Sequence, residues 1–298
     1  MLITASDVAK LRSLTGAGMM DCKKALDEAE GDMEKAGEIL RKKGIVKAAK
    51  RSDKIAAEGA TQIKVSGNTA AVVEVNSETD FVAQNEDFKK MVNELVDDLL
   101  QTKPASLEQA MSPAVAEKLN NLTAKIGEKI VLRRFAVVEK SDSDVFGSYS
   151  HLGGKISVLI LLKNTPPSIP PLKGEGQGVG LSLANDIAMH AAAANPKYIS
   201  RDEVPAEMVD KEKEIYTEQL KQQGKPEAAI ANILKGKLDK FYSEVCLLEQ
   251  PFIKDEEKTI QKLLGENVTV EKMVRYELGE GLEKAGCDFA AEVEAQLQ

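Results

Sequence analysis

Apolar residues recur at helical spacing three times within residues 1–44. The first stripe holds Val8, Leu11 and Leu14, behind Thr4 or Ser6, either of which can cap it. Gly16-Ala17-Gly18 ends that helix, because glycine enters left-handed backbone without a steric cost. A second helix is predicted over 19–29. Gly31-Asp32 then breaks and re-caps the chain, and Met33, Ala36, Ile39 and Leu40 mark a third. Helices this short are not stable singly, so the three are predicted to share one small core.

From Thr61 the apolar period drops to two. Thr61, Ile63 and Val65 alternate with Gln62, Lys64 and Ser66, Gly67-Asn68 turns the chain, and an apolar run covers 70–75. That pattern predicts a β-hairpin. One helix follows with Phe88, Met91, Val92, Leu95 and Leu99 on a face. Another starts at Ser112-Pro113 and carries Val115, Leu119, Leu122 and Ile126, and a strand over 129–139 closes the unit. A second unit of the same kind begins near Val145, with strands over 146–150 and 156–162 and a helix over 181–194. Its closing segment, Leu264-Gly265-Glu266-Asn267 and the strand after it, resembles Lys125-Ile126-Gly127-Glu128 and the strand after that. This weak repeat predicts two related α+β subdomains.

A helical hairpin interrupts the second unit. Met208, Val209, Ile215, Tyr216 and Leu220 mark one arm, Gly224-Lys225-Pro226 the turn, and Ile230, Leu234, Leu238, Phe241 and Val245 the other. The second arm steps by four, four, three and four residues, the spacing of a coiled-coil seam, so the hairpin is expected to project. Residues 164–180 are rich in Pro and Gly and are expected to form a surface insertion.

A chain of 298 residues with 43% hydrophobic and 30% charged composition belongs to a folded protein of more than one module. Its net charge of -8 argues against a duplex-wrapping protein. Cys22, Cys246 and Cys287 are odd in number and lack CxxC spacing, which favours free thiols in a reducing, cytoplasmic setting. No signal peptide is expected, and the apolar stretch over 156–162 is too short to cross a membrane.

Chemistry is sparse. His151 and His190 have no metal-ligand spacing around them, and Gly174, Gly176, Gly178 and Gly180 alternate in a way that misses the phosphate-loop patterns. Neither an active site, a metal nor a cofactor is expected. The basic residues Arg41, Lys42, Lys43, Lys47, Lys50, Arg51 and Lys54 lack interleaved aromatics, so a solvated helix end and linker is favoured over a nucleic-acid contact. One cluster stands out: Asn76-Ser77-Glu78-Thr79-Asp80-Phe81-Val82, directly after an apolar strand. Phe81 either folds back under the Phe88 helix or is presented as an aromatic anchor for another protein.

Two longer runs carry a family resemblance. Thr15-Gly16-Ala17-Gly18-Met19-Met20-Asp21-Cys22-Lys23-Lys24-Ala25-Leu26 and Val75-Asn76-Ser77-Glu78-Thr79-Asp80-Phe81-Val82-Ala83 resemble the two signatures of bacterial elongation factor Ts. Ile187 to His190, Gln250-Pro251-Phe252 and Gly279-Glu280-Gly281 fit as well. The resemblance implies an α+β protein with a UBA-like three-helix head and basic linker (1–54) and a first core subdomain (55–140). The second core subdomain is split over 141–200 and 246–278 by a coiled-coil hairpin (201–245), and a C-terminal helical module covers 279–298. It implies guanine-nucleotide exchange on elongation factor Tu in its GDP form, in the cytoplasm, without direct nucleic-acid contact or enzymatic activity. Thr79, Asp80, Phe81 and Val82 would dislocate the Mg²⁺ ion of the partner, with Phe81 as the wedge. Arg12, Met19, Met20, His151, Asp288 and Phe289 would grip the partner elsewhere. Both a homodimer and a heterotetramer with the partner stay open, and an RNA- or tRNA-binding accessory protein is the alternative reading.

Overall fold

The computed structural model describes residues 3–49, 51–164 and 178–282. Most of the 164–180 insertion, Lys50, Cys287, Asp288, Phe289 and the greater part of the expected 279–298 module lie outside the described residues.

Three helices open the chain: α1 (Ala5–Thr15), α2 (Met19–Glu28) and α3 (Met33–Ala49). Thr4, rather than Ser6, caps α1: its hydroxyl accepts from the Asp7 N–H while the Asp7 carboxylate accepts from the Thr4 N–H at 3.0 Å. Gly16 adopts φ +68° and stops the helix. The shared core holds Val8, Leu11, Cys22, Ala25, Leu26, Ala29 and Ala36. Leu14, expected in the buried stripe, is instead 71% exposed. Helix α3 outruns its expected end near residue 44 because its second half has a surface to rest on. There Gly44 lies against Ala124, and Arg41 pairs with Glu117 at 2.7 Å.

The rest is built on two antiparallel sheets. The first has the order β1 (Glu58–Ser66), β2 (Thr69–Ser77), β3 (Val131–Glu139). Between β2 and β3 run α4 (Asp80–Gln84), α5 (Glu86–Thr102), α6 (Leu107–Ala110) and α7 (Pro113–Ile126). The second sheet has the order β4 (Val145–His151), β5 (Ile156–Asn164), β8 (Val268–Glu277). Between β5 and β8 lie α8 (Gly178–Ala194), the helices α9 (Ala206–Gln222) and α10 (Glu227–Val245), a small ribbon of β6 (Pro251–Phe252) and β7 (Asp255–Thr259), and α11 (Ile260–Leu264). The two sheets share even their irregularity. Register slips between Glu74 and Val75 of β2, the sixth and seventh residues of that strand, and between Leu161 and Leu162 of β5, again the sixth and seventh.

Alternation sorts the side chains into layers. Ala71, Val73 and Val75 face α5 and α7, where Phe88, Leu95 and Leu99 complete one core. Val158, Ile160 and Leu162 face α8, where Ala184, Ile187, Ala188 and Ala191 complete another. The opposite faces meet: Ala70 and Val72 join Val138, Phe146, Leu159, Leu161 and Val274 between the sheets. Helices, sheet, sheet and helices therefore stack in four layers. Strand β2 is buried on both sides, which explains its nearly unbroken apolar run. Polar ties fix the stack. Thr61 donates its N–H and its hydroxyl to the Gly154 carbonyl at 2.6 and 2.8 Å. The fully buried Glu74 carboxylate accepts from Arg133 at 2.8 Å, Arg134 at 2.5 Å and the Gly279 N–H at 2.9 Å, joining β2 to β3 and to the chain after β8.

Helices α9 and α10 pack on each other about a turn at Gly224, with Leu220 and Ile230 buried near it. At their root, Phe241 and Cys246 cluster with Val204, Tyr198 and Tyr216. Met208 and Ile215, expected in the seam, are more than one-third exposed. Among the described residues no helix is long and apolar enough to cross a membrane.

Candidate functional site

Strand β2 delivers the chain into a turn that is tied on several sides. The Ser77 hydroxyl donates to the Thr79 carbonyl at 2.9 Å. The Glu78 carboxylate accepts from Arg51 at 2.8 Å and from the Lys129 N–H at 2.6 Å. Burial opposes its ionisation, yet the Lys129 N–H and the Arg51 guanidinium hold it below the usual carboxylate range. Thr79 gives its N–H and its hydroxyl to the two oxygens of Glu128, at 3.0 and 2.8 Å.

Helix α4 starts at Asp80, whose charge suits a helix N-terminus, and lasts five residues. Asn85 ends it and caps α5, accepting from the Asp87 and Phe88 N–H groups. Val82 drops into the first core. Successive helix residues do not share a face, so Phe81 cannot follow Val82 inward. It stands 83% exposed, while Phe88 takes the buried place under the sheet. Folding back under the Phe88 helix is thus not what Phe81 does in this chain.

The remaining candidates fall on separate surfaces. Arg12, Met19 and Met20 are exposed around the α1–α2 turn, beside the unexpected Leu14. His151 ends β4, with its Nδ1 3.1 Å from the Tyr149 hydroxyl and its ring stacked on that tyrosine. The next residue, Leu152, is 68% exposed in left-handed backbone.

Other reactive groups are occupied. His190 is buried, its Nε2 2.9 Å from the side-chain amide oxygen Oε1 of Gln250, and its Nδ1 accepts from the Ile253 N–H at 3.3 Å. That pattern puts the proton on Nε2, and burial pushes the imidazole below its ordinary pKa. Burial likewise pushes the Cys246 thiol up to about 11, which makes it inert at neutral pH. Of the basic residues over 41–54, Arg41, Lys43 and Arg51 each face a carboxylate. Among the described residues no cluster of His, Cys, Asp or Glu is placed to hold a metal ion.

Sequence reasoning found the turn but missed what holds it. Glu78 lay inside the noted cluster, and Glu128 inside the repeated Gly-Glu pair, yet neither spacing reveals a contact across 49 residues. A family model described as elongation factor TS matches residues 78–280, so its span opens in this same turn.

Proposed function

Since the chain belongs to the elongation factor Ts family, the nucleotide exchange factors of elongation factor Tu in translation elongation, we propose that its Thr79–Val82 turn drives the exchange. The turn enters the nucleotide domain of the partner, Phe81 wedges between structural elements there, and the Mg²⁺ site is displaced. Asp80 competes for polar groups beside it. With the metal dislocated, phosphate charge is less neutralised and GDP leaves. The observation that carries this reading is a large aromatic held in water beside a buried valine.

The magnitudes agree with a wedge assisted by remote grips. A thousandfold faster release needs about 4 kcal/mol, at roughly 1.4 kcal/mol per decade. Burying one Phe contributes about 1.5–3 kcal/mol. The remainder falls to Arg12, Met19 and Met20 on a UBA-like head, to His151, and to Asp288 and Phe289 in a C-terminal module. Coupling is reciprocal, so the nucleotide that is expelled also weakens the hold of the exchanger. In this reading the protein is cytoplasmic, α9 and α10 form a projecting coiled coil, and no catalytic residue or cofactor is assigned. A tRNA-binding role draws less support, because Arg41, Lys43 and Arg51 already face carboxylates.

The test is release of labelled GDP from purified elongation factor Tu. Phe81→Ala is expected to keep the fold and to slow exchange about tenfold or more, as loss of one buried Phe requires. Release as fast as with the unaltered chain overturns the wedge.

A further inference from the structure

We propose that Glu128 is a positioning residue for the exchange turn: its carboxylate sets the direction in which Phe81 leaves the surface. The inference rests on the reading of Phe81 as the wedge.

Helix α4 is too short to hold its own orientation. Thr79 occupies its N-cap position in extended backbone, where a threonine hydroxyl ordinarily accepts from the second or third N–H of the helix. Here no such bond forms. The hydroxyl points to Glu128 instead, and the Thr79 N–H goes to the other oxygen of the same carboxylate. Two bonds to two oxygens fix both the place and the rotation of residue 79, and a charged acceptor makes each stronger than a neutral one. The adjacent rung runs the opposite way, from the Lys129 N–H to the Glu78 carboxylate. Residues 78 and 79 are therefore cross-tied to 128 and 129 at one end of α4, and Val82 anchors the other. Phe81 lies between the two anchors.

The second unit supplies a contrast. Glu266 occupies the corresponding place, after Gly265 and ahead of the closing strand β8. It is exposed and makes no hydrogen bond or ion pair among the described residues. The backbones part here, Gly127 lying at ψ 12° and Gly265 at ψ -158°, and of the two glutamates only Glu128 meets a turn that its carboxylate can bond.

The experiment compares Glu128→Ala, Glu128→Gln, Thr79→Val and Phe81→Ala, with the double variant Glu128→Ala/Phe81→Ala, in labelled-GDP release from elongation factor Tu. Exchanger concentration is varied to separate the maximal rate from the half-saturating concentration. Glu128→Ala is expected to lower the maximal rate about tenfold, the loss of bonds to a charged acceptor, with half-saturation little changed. Glu128→Gln keeps the shape but removes the charge, Thr79→Val removes the hydroxyl bond, and both are expected to fall between, which keeps the test open should the alanine variant fold poorly. Faster amide exchange confined to residues 79–84, at an unchanged melting temperature, is the signature of positioning. The double variant should be no slower than Phe81→Ala, since a misdirected wedge and an absent wedge fail alike. If Phe81→Ala is slow but Glu128→Ala and Thr79→Val retain the full maximal rate, or if the two losses multiply, the positioning role is overturned and the wedge stands. If Phe81→Ala is itself fully active, the wedge falls and the positioning role falls with it.

Discussion

The two sheets of this protein are built to one plan and carry different cargo. In both, a hairpin receives a third strand on its second strand, with the register slip after the sixth residue of that second strand. At the sixth position the first sheet buries Glu74 with two arginines, whereas the second buries Leu161 in the apolar layer between the sheets. Before the closing strand, Glu128 holds a turn and Glu266 stands in water. The shared strand register decides which face of the sheet a side chain takes. Whether that position locks, presents or does nothing depends on the residue placed there.

The sharpest way to break the comparison is to make the first sheet like the second. Glu74→Leu places an apolar residue where Leu161 sits in the partner sheet, but leaves the Gly279 N–H without its acceptor and reduces Arg133 and Arg134 to their bonds with Glu277 and Glu280. Hydrogen bonds to a charged group contribute about 1.5–3 kcal/mol, so the urea midpoint should fall clearly. An unchanged midpoint would show that the carboxylate does not lock the stack.

A smaller effect should separate the two units by pH. The second unit alone holds a buried histidine, and burial lowers the pKa of His190. The unfolded chain then binds a proton that the folded chain refuses. Stability is full above the unfolded value near about 6.5 and declines as pH falls through the lowered folded value, by at most about 1.4 kcal/mol per pH unit. Amide exchange at pH 5 should therefore show weakened protection in α8 and β5, with α5 and β2 less affected. Replacing His190 with Gln should flatten that difference. Equal loss of protection in both units would assign the acid sensitivity elsewhere.

The smallest effect is expected at Glu266. Glu266→Ala should shift stability by no more than about 0.5 kcal/mol and leave GDP release unchanged, as for an isolated surface position. A loss matching that of Glu128→Ala would erase the contrast between the units.

Much of this architecture was legible in the chain. The caps, the glycine stop at Gly16, the period-two hairpin and the duplicated closing segment all involve residues within a few positions of each other. Phe81 was legible only as a choice between two fates. Its exposure follows from Val82 taking the core position and from Glu128 seizing Thr79 across 49 residues. Leu14 misled for a related reason: its spacing fits the α1 stripe, but α2 and α3 close the small core without it. Met208 and Ile215 share that error on α9.

The sequence by itself determined most of the elements and the repeat of the closing segment, and it singled out the segment after β2, because periodicity and capping are written in neighbouring residues. Only the tertiary structure decided that two sheets share a core, that Glu74 and Glu128 are tied rather than free, and that Phe81 faces water. Those outcomes depend on which distant surfaces meet, and spacing along a chain does not encode the distance between residues that packing brings together.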